Sequence, residues 1–192
     1  EASCFWITKD RAVFDATQNI SLYASYTSIY NPQSEVDVTN HPLSPASGTN
    51  IEGGIKSEWL DKRLYVSAAL FRARQAGLAE AAGTFGPDDA GPVGKTYYTG
   101  VDTTAKGFEI EVTGHLTPNW AISGGYTGLR IRDENGDPTR TFVPTRSLKL
   151  ATTYVAPELN DLRLGAQFRW QNAVTTIDSG VVYAGVVSDP VT

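Results

Sequence analysis

Hydrophobic and polar residues alternate with period two in run after run of this chain. From Thr49 to Trp59 the odd positions Ile51, Gly53, Ile55 and Trp59 are apolar or small, while Asn50, Glu52, Lys56 and Glu58 between them are polar. From Leu162 to Gln171 the apolar set Leu162, Leu164, Ala166, Phe168 and Trp170 opposes Arg163, Gly165, Gln167, Arg169 and Gln171. Successive side chains of a strand point to opposite faces, so each run has one greasy face and one wet face. Strands are predicted over Ile20–Tyr30, Thr49–Leu60, Leu64–Gln75, Thr104–Leu116, Trp120–Ile131, Ser147–Val155 and Leu162–Gln171.

These runs approach the ~9 to 11 residues that a tilted strand needs to cross a bilayer, against the ~5 to 6 usual in soluble sheets. The connections alternate in length. Asp61-Lys62, Thr117-Pro118-Asn119 and Ala156 to Asp161 are short and polar, whereas Asn31 to Gly48, Ala76 to Thr103, Arg132 to Arg146 and everything after Asn172 are long. Short turns at one end and long loops at the other mark an outer-membrane barrel, and nothing in a soluble β-sandwich sorts its loops this way. Trp59, Trp120 and Tyr154 sit beside the short turns with the parity of the greasy face, as suits rings at a membrane interface. The fold class read from the pattern is therefore all-β, an antiparallel meander forming part of a transmembrane outer-membrane β-barrel.

Composition changes this picture little. A hydrophobic fraction of 41% is ordinary for a soluble protein and also for a barrel, where only alternate residues meet lipid. No run approaches the ~20 apolar residues of a membrane helix. A net charge of -5 argues against a nucleic-acid partner. The chain has no methionine and no signal peptide, and seven strands would leave open edges, so it is expected to be a piece of a longer polypeptide: residues 1–192 as a partial barrel domain.

No catalytic constellation stands out, so an enzyme is not expected. Cys4 is alone, and His41 and His115 are far apart, so no metal site is expected. Asp133-Glu134-Asn135-Gly136-Asp137 lacks the glycine placement and closing Glu of a calcium loop and reads as a solvated turn. Gly53-Gly54 and Gly124-Gly125 lie inside strands, where close packing is their expected role.

The sequence Ser21-Leu22-Tyr23-Ala24-Ser25-Tyr26-Thr27 with Asn31-Pro32-Gln33 resembles the middle of a TonB-dependent siderophore receptor barrel. The likeness continues, in the family's order, through Asn50 to Lys56, Ala68 to Arg72, Lys106 to Gly114 and Pro144 to Tyr154, covering about Ala12 to Gln171. The resemblance implies a fragment of a plugged 22-stranded barrel in the bacterial outer membrane, with the plug domain and final strands absent. It implies import of a ferric siderophore, of hydroxamate or pyoverdine-like type, with the TonB system engaged through the missing N-terminal part. Iron would be carried only as the ferric-siderophore ligand, with no cofactor; outer-membrane lipid would be the other partner. The alternative is a passive porin or structural barrel. Candidate ligand-binding residues are the loop aromatics Tyr97, Tyr98 and Phe142, with Arg146 just after a loop. Glu52, Lys56, Glu109, Glu111, Arg163 and Arg169 are expected to face the lumen, either contacting the plug or simply solvated.

Overall fold

The structure, a computed structural model, describes residues 9–178 and 181–185. Eight strands form one antiparallel sheet in which each pairs with the next: β1 Lys9–Thr17, β2 Ile20–Asn31, β3 Ala46–Trp59, β4 Leu64–Thr84, β5 Thr96–Thr117, β6 Trp120–Asp133, β7 Arg146–Ala156 and β8 Leu162–Gln171. A separate hairpin, β9 Val174–Asp178 with β10 Val181–Gly185, follows. The only helical element among the described residues is one 3-10 turn, Pro157–Leu159, in the β7–β8 connection.

All seven predicted strands are present, and three differences have physical causes. β1 was not predicted, because Val13 and Phe14 are adjacent and spoil the alternation; Val13 in fact pairs with Tyr23 on the wet side and Phe14 with Leu22 on the greasy side. β4 and β5 run 21 and 22 residues, well into the stretch expected to be loop. Two β-bulges, between Gln75 and Leu78 and between Ala81 and Gly83, shift β4's phase and hide the strand from a period-two reading. Gly77, at φ +70°, takes the left-handed position at the first bulge. Finally, Val181 to Gly185 is a strand and not part of an unbroken loop.

The register puts residues directly opposite one another on the same face. One rung runs Phe14, Leu22, Ile55, Ala68, Ile110, Tyr126, Leu148 and Trp170 across all eight strands. A parallel rung on the other face runs Asp15, Ser21, Lys56, Ser67, Glu111, Gly125, Lys149 and Arg169. The greasy rung climbs relative to the short turns: Leu22 is two residues beyond the start of β2, whereas Trp170 is eight beyond the start of β8. That stagger is the shear of tilted strands in a barrel wall.

There is no conventional core. Among the described residues only Ala46, Phe85 and Ala156 are buried hydrophobics, while Leu70, Phe108, Ile110, Leu150, Leu164 and Phe168 stand exposed on the greasy face. An apolar surface of this extent requires an apolar solvent. At its short-turn end the Trp120 indole donates to Thr152 Oγ1 at 2.7 Å and the Trp59 indole to Ser57 Oγ at 3.0 Å, so each ring satisfies its polar edge locally while presenting its body outward.

Candidate functional site

The wet face and the long-loop end are the two places where polar chemistry gathers. Register places Glu52, Lys56, Glu109, Glu111, Arg163 and Arg169 all on the wet face, together with Lys149. The Tyr23 hydroxyl donates to Glu52 Oε1 at 2.6 Å, and the Arg11 guanidinium and Lys56 ammonium lie 5.3 and 5.2 Å from the Tyr23 ring centroid. The ring thus carries two cations on its face and a carboxylate at its edge. Nearer the short turns, Asp15, Ser21, Lys56, Glu58, Tyr65 and Glu111 line a cleft of about 720 Å³. Lys149 and Arg169 are directly opposed with no ion pair to either among the described residues.

The long-loop ends are tied to one another. Gln33, from the β2–β3 connection, donates to the carbonyls of Ser44 and Gly77 at 2.6 and 2.7 Å and accepts from the Ala79 amide at 3.1 Å. Tyr98 N donates to Val36 O at 2.8 Å, joining the same connection to β5. From the β6–β7 connection, Arg140 donates to Ala79 O at 2.7 Å and Thr139 to Glu80 at 3.1 Å. Thr175 of β9 donates through its amide to Thr141 O at 2.9 Å. Residues 32–45 and 134–145 are thereby gathered around the tall β4–β5 hairpin.

The four ligand candidates are not brought together. Tyr97 and Tyr98 are strand residues of β5, not loop residues; the bulges that prolong β4 carry the ladder past them, and adjacent strand positions point to opposite faces. The Tyr97 ring packs 5.3 Å from that of Phe85, which is 2% exposed, and covers Gly83. Phe142 is a loop residue and 54% exposed, with the Arg140 guanidinium 5.8 Å from its ring centroid. Arg146 opens β7 opposite Gly128 and shares the greasy parity, away from the lumen.

A feature absent from the predicted sites is an inversion of polarity along β4, β5 and β6. Beyond the greasy rung Leu70–Phe108–Gly128 comes the rung Arg72–Lys106–Arg130 on the same face, and then Arg74–Thr104–Arg132. The opposite face at that height carries Phe71, Gly107 and Leu129, then Ala73, Ala105 and Ile131. The signal was present in Leu70-Phe71-Arg72 and Arg130-Ile131-Arg132, where the cations take the parity that apolar residues hold lower in the strand. Arg72 is eight residues beyond the start of β4 and Arg130 ten beyond that of β6. At ~3.3 Å per residue and a tilt of ~40°, that is about 20 to 25 Å of membrane thickness, close to the ~25 Å apolar band of such barrels.

The remaining chemistry is local. The Thr39 hydroxyl donates to Asp37 Oδ1 at 2.6 Å and the Thr39 and His41 amides at 2.8 and 3.0 Å, building an Asx-type turn. Asp133 likewise accepts from the Asn135 and Asp137 amides at 3.0 and 2.8 Å, so the acidic stretch is a self-bonded turn as expected. No group of three or more potential metal ligands occurs among the described residues. Cys4 lies outside the described residues.

Long tilted strands, an exposed greasy band, a charged opposite face and connections sorted by length define a segment of an outer-membrane β-barrel wall. The chain belongs to the TonB dependent receptor-like, beta-barrel family, whose model matches residues 11–190. It is 38% identical over 163 residues to the ferripyoverdine receptor of Pseudomonas aeruginosa, covering 83% of this chain and 20% of that protein. The catecholate siderophore receptor Fiu of Escherichia coli is 27% identical over 192 residues, covering 91% of this chain and 24% of that protein. The crystal structure of the Pseudomonas aeruginosa ferripyoverdine receptor bound to ferripyoverdine superposes with a TM-score of 0.76 at 33% identity, covering 93% of this chain and 25% of that one. The chain spans about a fifth of the length of the curated relatives it matches.

Proposed function

We propose that the protein containing this chain is an outer-membrane receptor that imports a ferric siderophore in a TonB-dependent manner, and that these residues form part of its barrel wall. The family match over residues 11–190 carries this reading, supported by relatives named as ferripyoverdine and catecholate siderophore receptors. A passive porin is not favoured. The ligand crosses unchanged, so no catalytic group is required, and iron is cargo and not a cofactor.

For the ligand class, a pyoverdine-type chelate is favoured by the higher identity to the ferripyoverdine receptor than to the catecholate receptor. A hydroxamate-type chelate rests only on the motif resemblance at Tyr23 to Gln33. Phe142, an exposed aromatic with the Arg140 guanidinium beside it on a loop at the long-loop end, would offer such a ligand apolar contact and positive charge. The directly opposed cations Lys149 and Arg169 favour a lumen filled by complementary acidic groups, since like charges across a rung destabilise a sheet by a few tenths to about 1 kcal/mol when nothing offsets them.

Growth of an iron-starved strain expressing the full-length protein, supplied with ferric pyoverdines, hydroxamates or catecholates in turn, tests the reading. Growth on a siderophore that ceases when TonB is deleted supports it. Uptake that persists without TonB would establish passive transport instead.

A further inference from the structure

We propose that Asn135, in the turn after β6, is a site of spontaneous covalent modification, its side-chain amide passing through a cyclic imide to aspartate and isoaspartate. Asparagine is among the chemically labile residues. The reaction needs the main-chain nitrogen of the next residue to reach the asparagine's own side-chain carbonyl carbon, and a side chain on that next residue obstructs the approach. Of the chain's eight asparagines only Asn135 precedes a glycine; isoleucine, proline, histidine, tryptophan, aspartate or alanine follows the others.

The turn leaves the two reacting groups accessible to each other. Asn135 is exposed, and among the described residues only its main-chain amide is hydrogen bonded, to Asp133 Oδ1 at 3.0 Å, so its side chain rotates freely. Gly136 takes a left-handed φ of +87°, and nothing lies within 4 Å of where its Cβ would stand. Its amide donates to the Asp133 carbonyl at 3.2 Å, the long end of the hydrogen-bond range and so a weak restraint. In the first step the Gly136 nitrogen loses its proton and bonds to the Asn135 side-chain carbon, while the bond from that carbon to the amide nitrogen breaks and ammonia leaves. One water then opens the ring. Addition at the side-chain carbonyl gives aspartate, and addition at the main-chain carbonyl leaves the chain running through the side chain as isoaspartate.

The turn closes a narrow neck. Asp133 N donates to Asp137 O at 3.0 Å, Arg132 bridges Pro138, and Thr139 N donates to Ile131 O at 3.3 Å. Isoaspartate adds one carbon to the main chain inside this neck, and the imide removes the Gly136 N–H that bonded Asp133. The new carboxylate also joins those of Asp133, Glu134 and Asp137. All three changes loosen the neck, which positions Thr139 and Arg140 for their bonds to Glu80 and to the Ala79 carbonyl on β4. Conversion at Asn135 therefore slackens the tie between residues 134–145 and the β4–β5 hairpin.

The test takes the full-length protein in lipid vesicles, aged at neutral and at mildly alkaline pH and digested briefly at slightly acidic pH for mass spectrometry. The tryptic peptide 133–140 should gain one mass unit, the difference between an amide and an acid, and separate into two isomers, one of them a substrate for isoaspartyl methyltransferase. Its conversion should rise with hydroxide concentration and run at least about tenfold faster than at any other asparagine. Asn135→Gln, which would have to close a six-membered ring, should show no mass change, and it keeps the turn because the hydrogen bond at this position uses the main chain. Amide exchange at Thr139 should speed up in the aged native protein and stay constant in the aged variant. Conversion in the urea-unfolded protein but not in the folded one, or a rate at Asn135 no greater than at the other asparagines, would overturn the proposal. Unchanged exchange at Thr139 in the converted fraction would overturn its effect on the neck. Ferric-siderophore uptake enters neither readout, so the transport reading stands or falls separately.

Discussion

The ring of Tyr23 lies across the backbone of Gly54, its directly opposed partner on β3, so closely that a Cβ at Gly54 would sit 2.7 Å from a ring carbon. Only with that space empty can the hydroxyl reach Glu52 two residues farther along β3. The same pairing of an aromatic ring with an opposed glycine recurs at Phe71 and Gly107, at Phe108 and Gly128, and at Tyr97 and Gly83. Rings laid over glycines keep two neighbouring strands close where one of them lacks a side chain.

Gly54→Ala should therefore cost about 1 to 3 kcal/mol, because the added methyl meets both the Tyr23 ring and, at 2.5 Å, the Ala68 carbonyl. Gly53→Ala is the matched control, since its nearest neighbour is the Tyr23 carbonyl at 3.7 Å. Denaturant unfolding of the full-length protein in lipid should separate the two, and equal losses would show that the ring is not held over Gly54.

Ile110 and Glu111 are adjacent in β5 and belong to opposite rungs. Ile110→Arg places a charge in the greasy band and should cost on the order of 2 to 4 kcal/mol near the midplane, whereas Glu111→Arg should be tolerated. The comparison is read from the same unfolding assay; equal destabilisation would contradict the assignment of faces.

Tyr97→Ala should loosen the tip of the β4–β5 hairpin, removing a ring contact worth about 0.5 to 1.5 kcal/mol beyond area burial. Faster amide exchange at Phe85 and Gly94, whose amides close the tip onto Lys95 and Phe85, is the expected result. Phe142→Ala should leave that exchange unchanged and instead weaken ferric-siderophore binding.

The Asp37 turn carries a pH dependence. The Thr39 hydroxyl first, then the amide hydrogen of His41, hold the Asp37 carboxyl below its ordinary value. A carboxyl with a lowered folded pKa stabilises its turn above the unfolded value of ~3.9 and loses that contribution as pH falls through the folded value. Amide exchange at Thr39 and His41 should accordingly stay protected through mildly acidic conditions and rise only below the ordinary carboxylate range, and Asp37→Ala should abolish the protection at every pH.

The sequence by itself determined the meander and its two faces. Alternation at Ile51 to Trp59 and at Leu162 to Trp170 is a local property of each strand, and a short turn leaves its neighbours no choice but to pair, so strand order and parity are both written in the order of residues. Even the polarity inversion at Arg72 and Arg130 is present as a change of phase that needs no coordinates to find. Tertiary structure decided the rest, because it depends on which strand stands beside which. The extension of β4 past Gln75 is invisible in a stretch rich in alanine and glycine, where bulges reset the phase and only the ladder to β5 fixes the path. The alignment of Arg72, Lys106 and Arg130 in one rung joins residues up to 58 positions apart through two registers. The reassignment of Tyr97 from a free loop aromatic to a packed strand residue has the same origin, since its partner Phe85 meets it only when the hairpin closes.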